Sequence, residues 1–184
     1  MKRDKFLKMS VVLPFMGGFS DVERPKKGFG VNSGKDRFDK SISLLEGDTF
    51  YTKVSSKDTN GDLYVFESTR VKIGGPSLHV HAEQDEWWYI LEGEFKIKIG
   101  EDLFEVKAGD SVFGPRGVPH TFSKVGEGTA RMIITFQPAG KMEQFFTSIS
   151  EGVMKGKSEK EQDAFRIAHG FERVGPALDY FKKF

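Results

Sequence analysis

A chain of 184 residues is long enough to bury a substantial core in one domain and still carry appendages. Its 28 Lys and Arg against 27 Asp and Glu leave a net charge of +1, so no basic footprint for nucleic acid or an anionic membrane is present. The absence of cysteine excludes disulfides and thiol chemistry, and no stretch approaches the apolar length that spans a bilayer. Phenylalanine is abundant, at 18 residues, and such rings ordinarily fill a core or a ligand cavity.

The chain opens with a basic segment, Met1 to Lys8, followed by a mostly apolar one, Met9 to Phe19. This order faintly resembles a bacterial export signal, but Arg3 stands alone where a twin-arginine signal needs a pair, Pro14 and glycines interrupt the apolar core, and no small-x-small cleavage site follows. The segment is read as an arm packed on the fold or on a partner subunit, in a cytoplasmic protein, with export as the alternative. Ser20 to Gly47 is rich in Gly, Lys and Asp and reads as loop with one short strand, a wall over the mouth of the strand-rich region downstream.

From Thr49 the hydrophobic pattern becomes regular. Thr49 to Ser55 is a predicted strand, and the Asn60-Gly61 turn signal returns the chain into a second strand, Leu63 to Ile73. Along it Leu63, Val65, Glu67, Thr69 and Val71 share one face, opposite Tyr64, Phe66, Ser68, Arg70 and Lys72. Glu67 is a buried carboxylate near a site if its face lines the interior, and an ordinary surface charge otherwise; the surface reading is preferred.

The stretch from Gly74 to Gly93 organises the rest. His79 and His81 are spaced two apart, so in a strand their side chains share a face with Cα atoms about 6.6 Å apart, close enough to converge on one small ion. In the next strand alternation puts Glu86, Trp88 and Ile90 on one face and Trp87, Tyr89 and Leu91 on the other. A carboxylate beside two imidazoles makes a mixed N/O metal site. Trp87, Trp88 and Tyr89 are expected to be core or pocket wall.

Glu94 to Ile99 alternates with Phe95, Ile97 and Ile99 inward, and Leu103 to Val106 comes after a turn. Gly109 to Phe122 then holds a turn, a short apolar strand, a rigid Pro115-Arg116-Gly117 loop and a third histidine, His120, which supplies a fourth ligand. Arg116 is read as a solvated loop charge, with a substrate clamp as the alternative. The last long strand, Thr129 to Gln137, puts Ala130, Met132, Ile134 and Phe136 on one face. Eight to ten short strands with frequent turns indicate an all-β sandwich or barrel, enough for a two-sheet jelly roll. Beyond Pro138 the period changes: Met142 to Ile149 and Ser158 to His169 read as helices, the second with a Ser158 to Glu161 capping box and a Gly170 stop. His169, near that helix end, is read as structural.

Together the two histidine-bearing stretches resemble the cupin superfamily, whose first motif reads G-x5-H-x-H-x3-4-E-x6-G and whose second reads G-x5-P-x-G-x2-H-x3-N. His79, His81, Glu86 and Gly93 fit the first, and Gly109, Pro115, Gly117 and His120 the second. The chain departs at two places: the opening glycine is Gly74 or Gly75 where the strict count falls on Ile73, and the final Asn is Lys124. The C-terminal part, residues 139–184, is similar to the helical extension of small single-domain cupins related to quercetin dioxygenase.

The resemblance implies a cupin double-stranded β-helix, a jelly-roll barrel over residues 47–138, preceded by an N-terminal arm and loop over 1–46 and followed by a short helical C-terminal extension over 139–184. It further implies a 3-His/1-Glu centre of His79, His81, Glu86 and His120 holding a divalent transition metal, one of Fe, Mn, Ni, Co, Cu or Zn, with two positions open. Glu86 would double as the catalytic general base. The expected function is a quercetinase-like oxygenase, a homodimer, acting on a small hydroxylated molecule, aromatic ones included. Two alternatives stand beside it: a non-catalytic small-molecule binding or sensing cupin, and a metal-dependent sugar or keto-acid isomerase.

Overall fold

A computed structural model describes residues 24–44 and 48–178 of the chain. The arm or export-signal reading of the first 20 residues lies outside the described residues. Eleven strands form among those described: β1 (Ile42–Ser43), β2 (Asp48–Val54), β3 (Tyr64–Arg70), β4 (Ser77–Val80), β5 (Asp85–Glu92), β6 (Glu94–Ile99), β7 (Asp102–Lys107), β8 (Ser111–Gly114), β9 (His120–Val125), β10 (Ala130–Gln137) and β11 (Glu172–Ala177). Two helices, α1 (Met142–Ser150) and α2 (Glu159–Ala168), separate the last two strands. No helix among the described residues is long and apolar enough to cross a membrane.

The strands make two antiparallel sheets, β1-β2-β3-β10-β5-β8 and β11-β4-β9-β6-β7, facing one another as in a cupin jelly roll. Alternation decides what lies between them. Trp88, Ile90, Phe95, Ile97, Met132, Ile134 and Phe136 point inward and are buried, as their period of two requires. Each fully buried ring or aliphatic chain contributes about 2–3 kcal/mol, which commits the register, since a one-residue slip would turn every one of them outward.

The β2–β3 connection is longer than a two-residue hairpin. Ser56–Thr59 forms a turn of 3-10 helix capped by Ser55 and Asp58, and the chain reverses at Asn60, which is left-handed at φ 55°. The second strand also ends at Arg70, three residues short of the expected Ile73.

Three side chains differ from expectation. Glu67 does lie on the outer face of β3, but it is 2% exposed and not a surface charge, because the loop from residue 24 to 44 folds over that face. Gly34 N donates to its Oε2 at 3.1 Å, Lys53 Nζ lies 3.0 Å away, and Arg131 donates to Oε1 at 2.7 and 3.0 Å. Trp87 and Tyr89 stack on the outside of β5, so of the three aromatics there only Trp88 is core.

The extension is helical where predicted. Ser158 and Glu161 form the reciprocal capping box, and the chain stops helix α2 at Gly170. His169 caps that helix, its ring against Phe165, as a structural residue. The tail then returns as β11, antiparallel to β4, and so becomes the neighbour of the strand that carries His79.

Candidate metal centre

His79 lies on β4 and His120 on β9, directly opposite one another in register. His81 follows the end of β4, and Glu86 enters from β5 in the facing sheet. The four side chains are at most 4% exposed, and their ligand atoms all lie within 4.8 Å of one another. Glu86 Oε2 is 3.0 Å from His120 Nε2 and 3.4 Å from His81 Nε2. The structure thus brings together all four residues singled out from the sequence, in a buried cluster that could hold a metal ion, as is typical of cupins.

The tautomers favour that use. Nδ1 of His79 meets Ser77 O at 2.8 Å, Nδ1 of His120 meets Val118 O at 2.9 Å, and Nδ1 of His81 meets Gly170 O at 2.7 Å. A carbonyl oxygen only accepts, so in each ring Nδ1 carries a proton and Nε2 is the nitrogen turned to the interior. His81 Nε2 is buried without a hydrogen-bond partner, an arrangement that costs energy unless something fills it. Three imidazole nitrogens and one carboxylate oxygen suit a divalent first-row transition metal.

Electrostatics agree. Burial, with His120 and His81 beside it, pushes the His79 imidazole down to about 3, so it stays neutral as a ligand must. Burial would raise the Glu86 carboxyl, but the hydrogen bond with His120 and the nearby His81 imidazole outweigh it and hold the group at about 2, ionised. For His120, burial works downward and the Glu86 carboxylate overcomes it, so the imidazole is raised.

His79, His81 and Glu86 of the cluster line a cavity of about 400 Å³. Its walls are mainly apolar, with Phe50, Phe66, Phe136 and Phe146 among them, and Met142 and Ile149 reach it from α1. Among the described residues nine phenylalanines lie in the core or line the cavity, while Phe29, Phe38, Phe104 and Phe113 are exposed. Away from the cluster, the buried ion pair between Arg70 and Asp48 also lines the cavity. Sequence reasoning named neither residue as part of the site. It missed Phe171 too, whose ring lies 4.1 Å from the His79 ring, 10° from parallel.

Arg116 does not reach this cavity. Its guanidinium and backbone N–H hold Asp85 at 2.6 to 3.0 Å, on the surface, in keeping with a loop charge rather than a clamp.

Comparison with known proteins bears on the same region. Residues 69–136 match the cupin domain model. An uncharacterized protein of Methanocaldococcus jannaschii is 32% identical over 69 residues, covering 37% of this chain and 55% of that one. The polyketide synthase CurC of Streptomyces cyaneus is 29% identical over 62 residues, 34% of this chain and 40% of its own. The chain therefore spans about half or less of these relatives.

Among solved structures, KdgF from Halomonas sp. superposes with a TM-score of 0.52 at 17% identity, over 61% of this chain and 94% of that one. A predicted oxalate decarboxylase from Thermotoga maritima gives 0.52 at 19% identity, over 60% and 99%. At such identities the likeness concerns the fold alone. Residues 69–136 thus match the cupin domain model, and the two antiparallel sheets around three histidines and a glutamate are those of a cupin jelly-roll fold.

Proposed function

We propose that this protein is a metal-dependent enzyme acting on a small, flat, hydroxylated aromatic molecule, as a quercetinase-like oxygenase. The observation that carries the reading is the cavity itself: His79, His81 and Glu86 of the cluster line a space of about 400 Å³ whose walls are mainly apolar and include six phenylalanines. A cavity of this size and lining suits a small apolar ligand fixed by a few polar groups. A sugar, with a hydroxyl on nearly every carbon, would set several of them against phenyl rings, with only the cluster and the Arg70–Asp48 pair to partner the rest, which disfavours the sugar isomerase alternative.

The metal, when bound, supplies Lewis-acid or redox chemistry at the cluster. The protein supplies the rest. Phe50, Phe66, Phe136 and Phe146 hold the ring system and keep water out. Glu86 takes the proton of the substrate hydroxyl. Ionised, it can accept a proton, and a phenol, whose pKa lies near 10 in tyrosine, gives one up far more readily than an aliphatic alcohol. A hydroxylated aromatic ring therefore satisfies both the walls and the base.

The match to a polyketide synthase favours a second reading, in which the same pocket acts on a polyketide without consuming dioxygen. Both readings place the protein in the cytoplasm as a homodimer. Exposed apolar side chains on the sheet-edge strands, Phe113 at 57% on β8 and Leu103 at 48% on β7, support the dimer, and light scattering tests it.

The deciding experiment measures metal content by plasma mass spectrometry on untagged protein, then oxygen uptake with quercetin and catechol as probes. Stoichiometric redox-active metal with oxygen uptake upholds the oxygenase. Turnover under nitrogen selects the second reading, and ring binding with no turnover in either atmosphere selects the sensing alternative.

A further inference from the structure

A segment that the cupin motifs do not include reaches the histidines through two residues, Gly170 and Phe171. The carbonyl of Gly170 accepts from His81 Nδ1 at 2.7 Å, across 89 residues of sequence. The ring of Phe171 stacks on His79 at 4.1 Å and 10°, and meets His81 edge to face at 5.6 Å and 74°.

Neither residue stands alone. Phe171 stacks in turn on Phe145 of α1 at 5.3 Å, Phe145 stacks on Phe165 of α2 at 5.9 Å, and Phe165 lies against His169 at 4.1 Å. A column of rings therefore runs from a histidine of the cluster out to the last helix. Gly170 is left-handed at φ 83°, and a Cβ there would meet Gln84 Oε1 at 2.9 Å, so glycine is what lets its carbonyl reach His81. Immediately afterwards β11 pairs with β4, Arg173 opposite His79.

We propose that the segment from α2 through β11 is a positioning element of the metal centre: the Gly170 carbonyl sets the tautomer of His81, Phe171 fixes the plane of His79, and metal uptake and docking of this segment are one coupled equilibrium. The inference rests on the reading of the four residues as metal ligands. Its physical basis is general. A group that hydrogen-bonds or packs on a ligand imidazole pre-orients it, and losing such a group typically costs 10–100-fold in metal affinity or activity. Coupling is reciprocal, so a metal that prefers oriented histidines must also favour the docked segment.

The experiment uses the full-length chain and Co(II) as the probe. In the wild type, Co(II) is expected to slow amide exchange in Glu172–Ala177 relative to the metal-free protein. Phe171→Leu, which keeps bulk but loses the flat ring, is expected to weaken Co(II) binding about ten-fold or more and to shift the visible ligand-field absorption of the bound ion. Gly170→Ala, which displaces the carbonyl, is expected to do the same. Wild-type affinity and spectrum in both variants, or exchange in Glu172–Ala177 that Co(II) leaves unchanged, overturns the coupling while leaving the ligand set intact. A wild type that takes up no Co(II) overturns the ligand reading and the coupling with it. The exchange arm needs no variant, so it decides even if a substituted chain fails to fold.

Discussion

Gly74 and Lys124 pair backbone to backbone, Gly74 N donating to Lys124 O at 3.2 Å and Lys124 N to Gly74 O at 2.9 Å. Both departures from the cupin motifs fall at this pairing: the strict count puts the first motif's glycine at Ile73, next to Gly74, and Lys124 stands where the second motif has Asn. Lys124 is 1% exposed, its ammonium donating to Gly126 O at 2.6 Å. The departures are therefore confined to one local pairing, away from the four candidate ligands.

The adjacent glycine carries a strict steric demand. A Cβ on Gly75 would lie 1.6 Å from Phe122 O, a backbone atom with no rotamer to change. Gly75→Ala is expected to lower unfolding free energy by about 3 kcal/mol or more. Gly74 has open space around it but sits at φ 109°, so Gly74→Ala should cost only the backbone strain, about 1–3 kcal/mol. Urea unfolding of the two variants checks the order.

How much of the molecule was legible in its sequence depends on the range over which each signal acts. The His79, His81, Glu86 and His120 cluster was readable because a strand's period of two puts the first pair on one face, and motif spacing located the others. The burial of Glu67 was not, because it depends on where a polar, Gly-rich loop between residues 24 and 44 comes to rest, and such a loop has no periodicity to read. Trp87 misled for the opposite reason: it is apolar but on the outward phase of β5, and composition outweighed phase in reading it as wall. The Gly170 carbonyl has no side-chain signature at all, and its partner is 89 residues away.

His120→Ala is expected to abolish stoichiometric metal content, measured by plasma mass spectrometry. It removes one nitrogen from the cluster and the group 3.0 Å from Glu86 Oε2. The metal-free protein should also lose about 1–3 kcal/mol, because a buried carboxylate is left short of a partner.

Glu67 gives the protein an acid-sensitive contribution to stability. Burial would raise its carboxyl, but hydrogen bonds from Gly34, Arg131 and Lys53 outweigh that and lower it. A carboxyl with a depressed folded-state pKa stabilises fully above its unfolded value, about 4.3, and the contribution fades as pH falls through the lower folded value. Glu67→Gln should therefore destabilise by about 1 kcal/mol at pH 7, with Arg131 partly solvated, and the gap to wild type should close as pH falls from about 4.3 through the lower folded value. Urea midpoints across that range check the sign.

Arg116→Ala separates the loop charge from the site. Its guanidinium is spent on Asp85, which it holds down at about 2, and it does not line the cavity. Metal content and turnover are expected to match wild type. A large rise in KM with metal content unchanged would restore the clamp reading.

The cavity and the metal cluster can be separated from the opposite side. Ile149 is half-buried on the last turn of α1 and lines the cavity without belonging to the cluster. Ile149→Trp adds a bulky ring to a space of about 400 Å³ while leaving His79, His81, Glu86 and His120 untouched. If the aromatic walls are the substrate site, binding of a flavonol probe should weaken about ten-fold or more, since a blocked apolar site loses the burial worth about 25 cal/mol per Å² of ligand surface. Metal content should stay at the wild-type level. Fluorescence titration of the probe beside metal analysis of the same sample checks both halves, and unchanged probe affinity would mean that the substrate meets the cluster by another route.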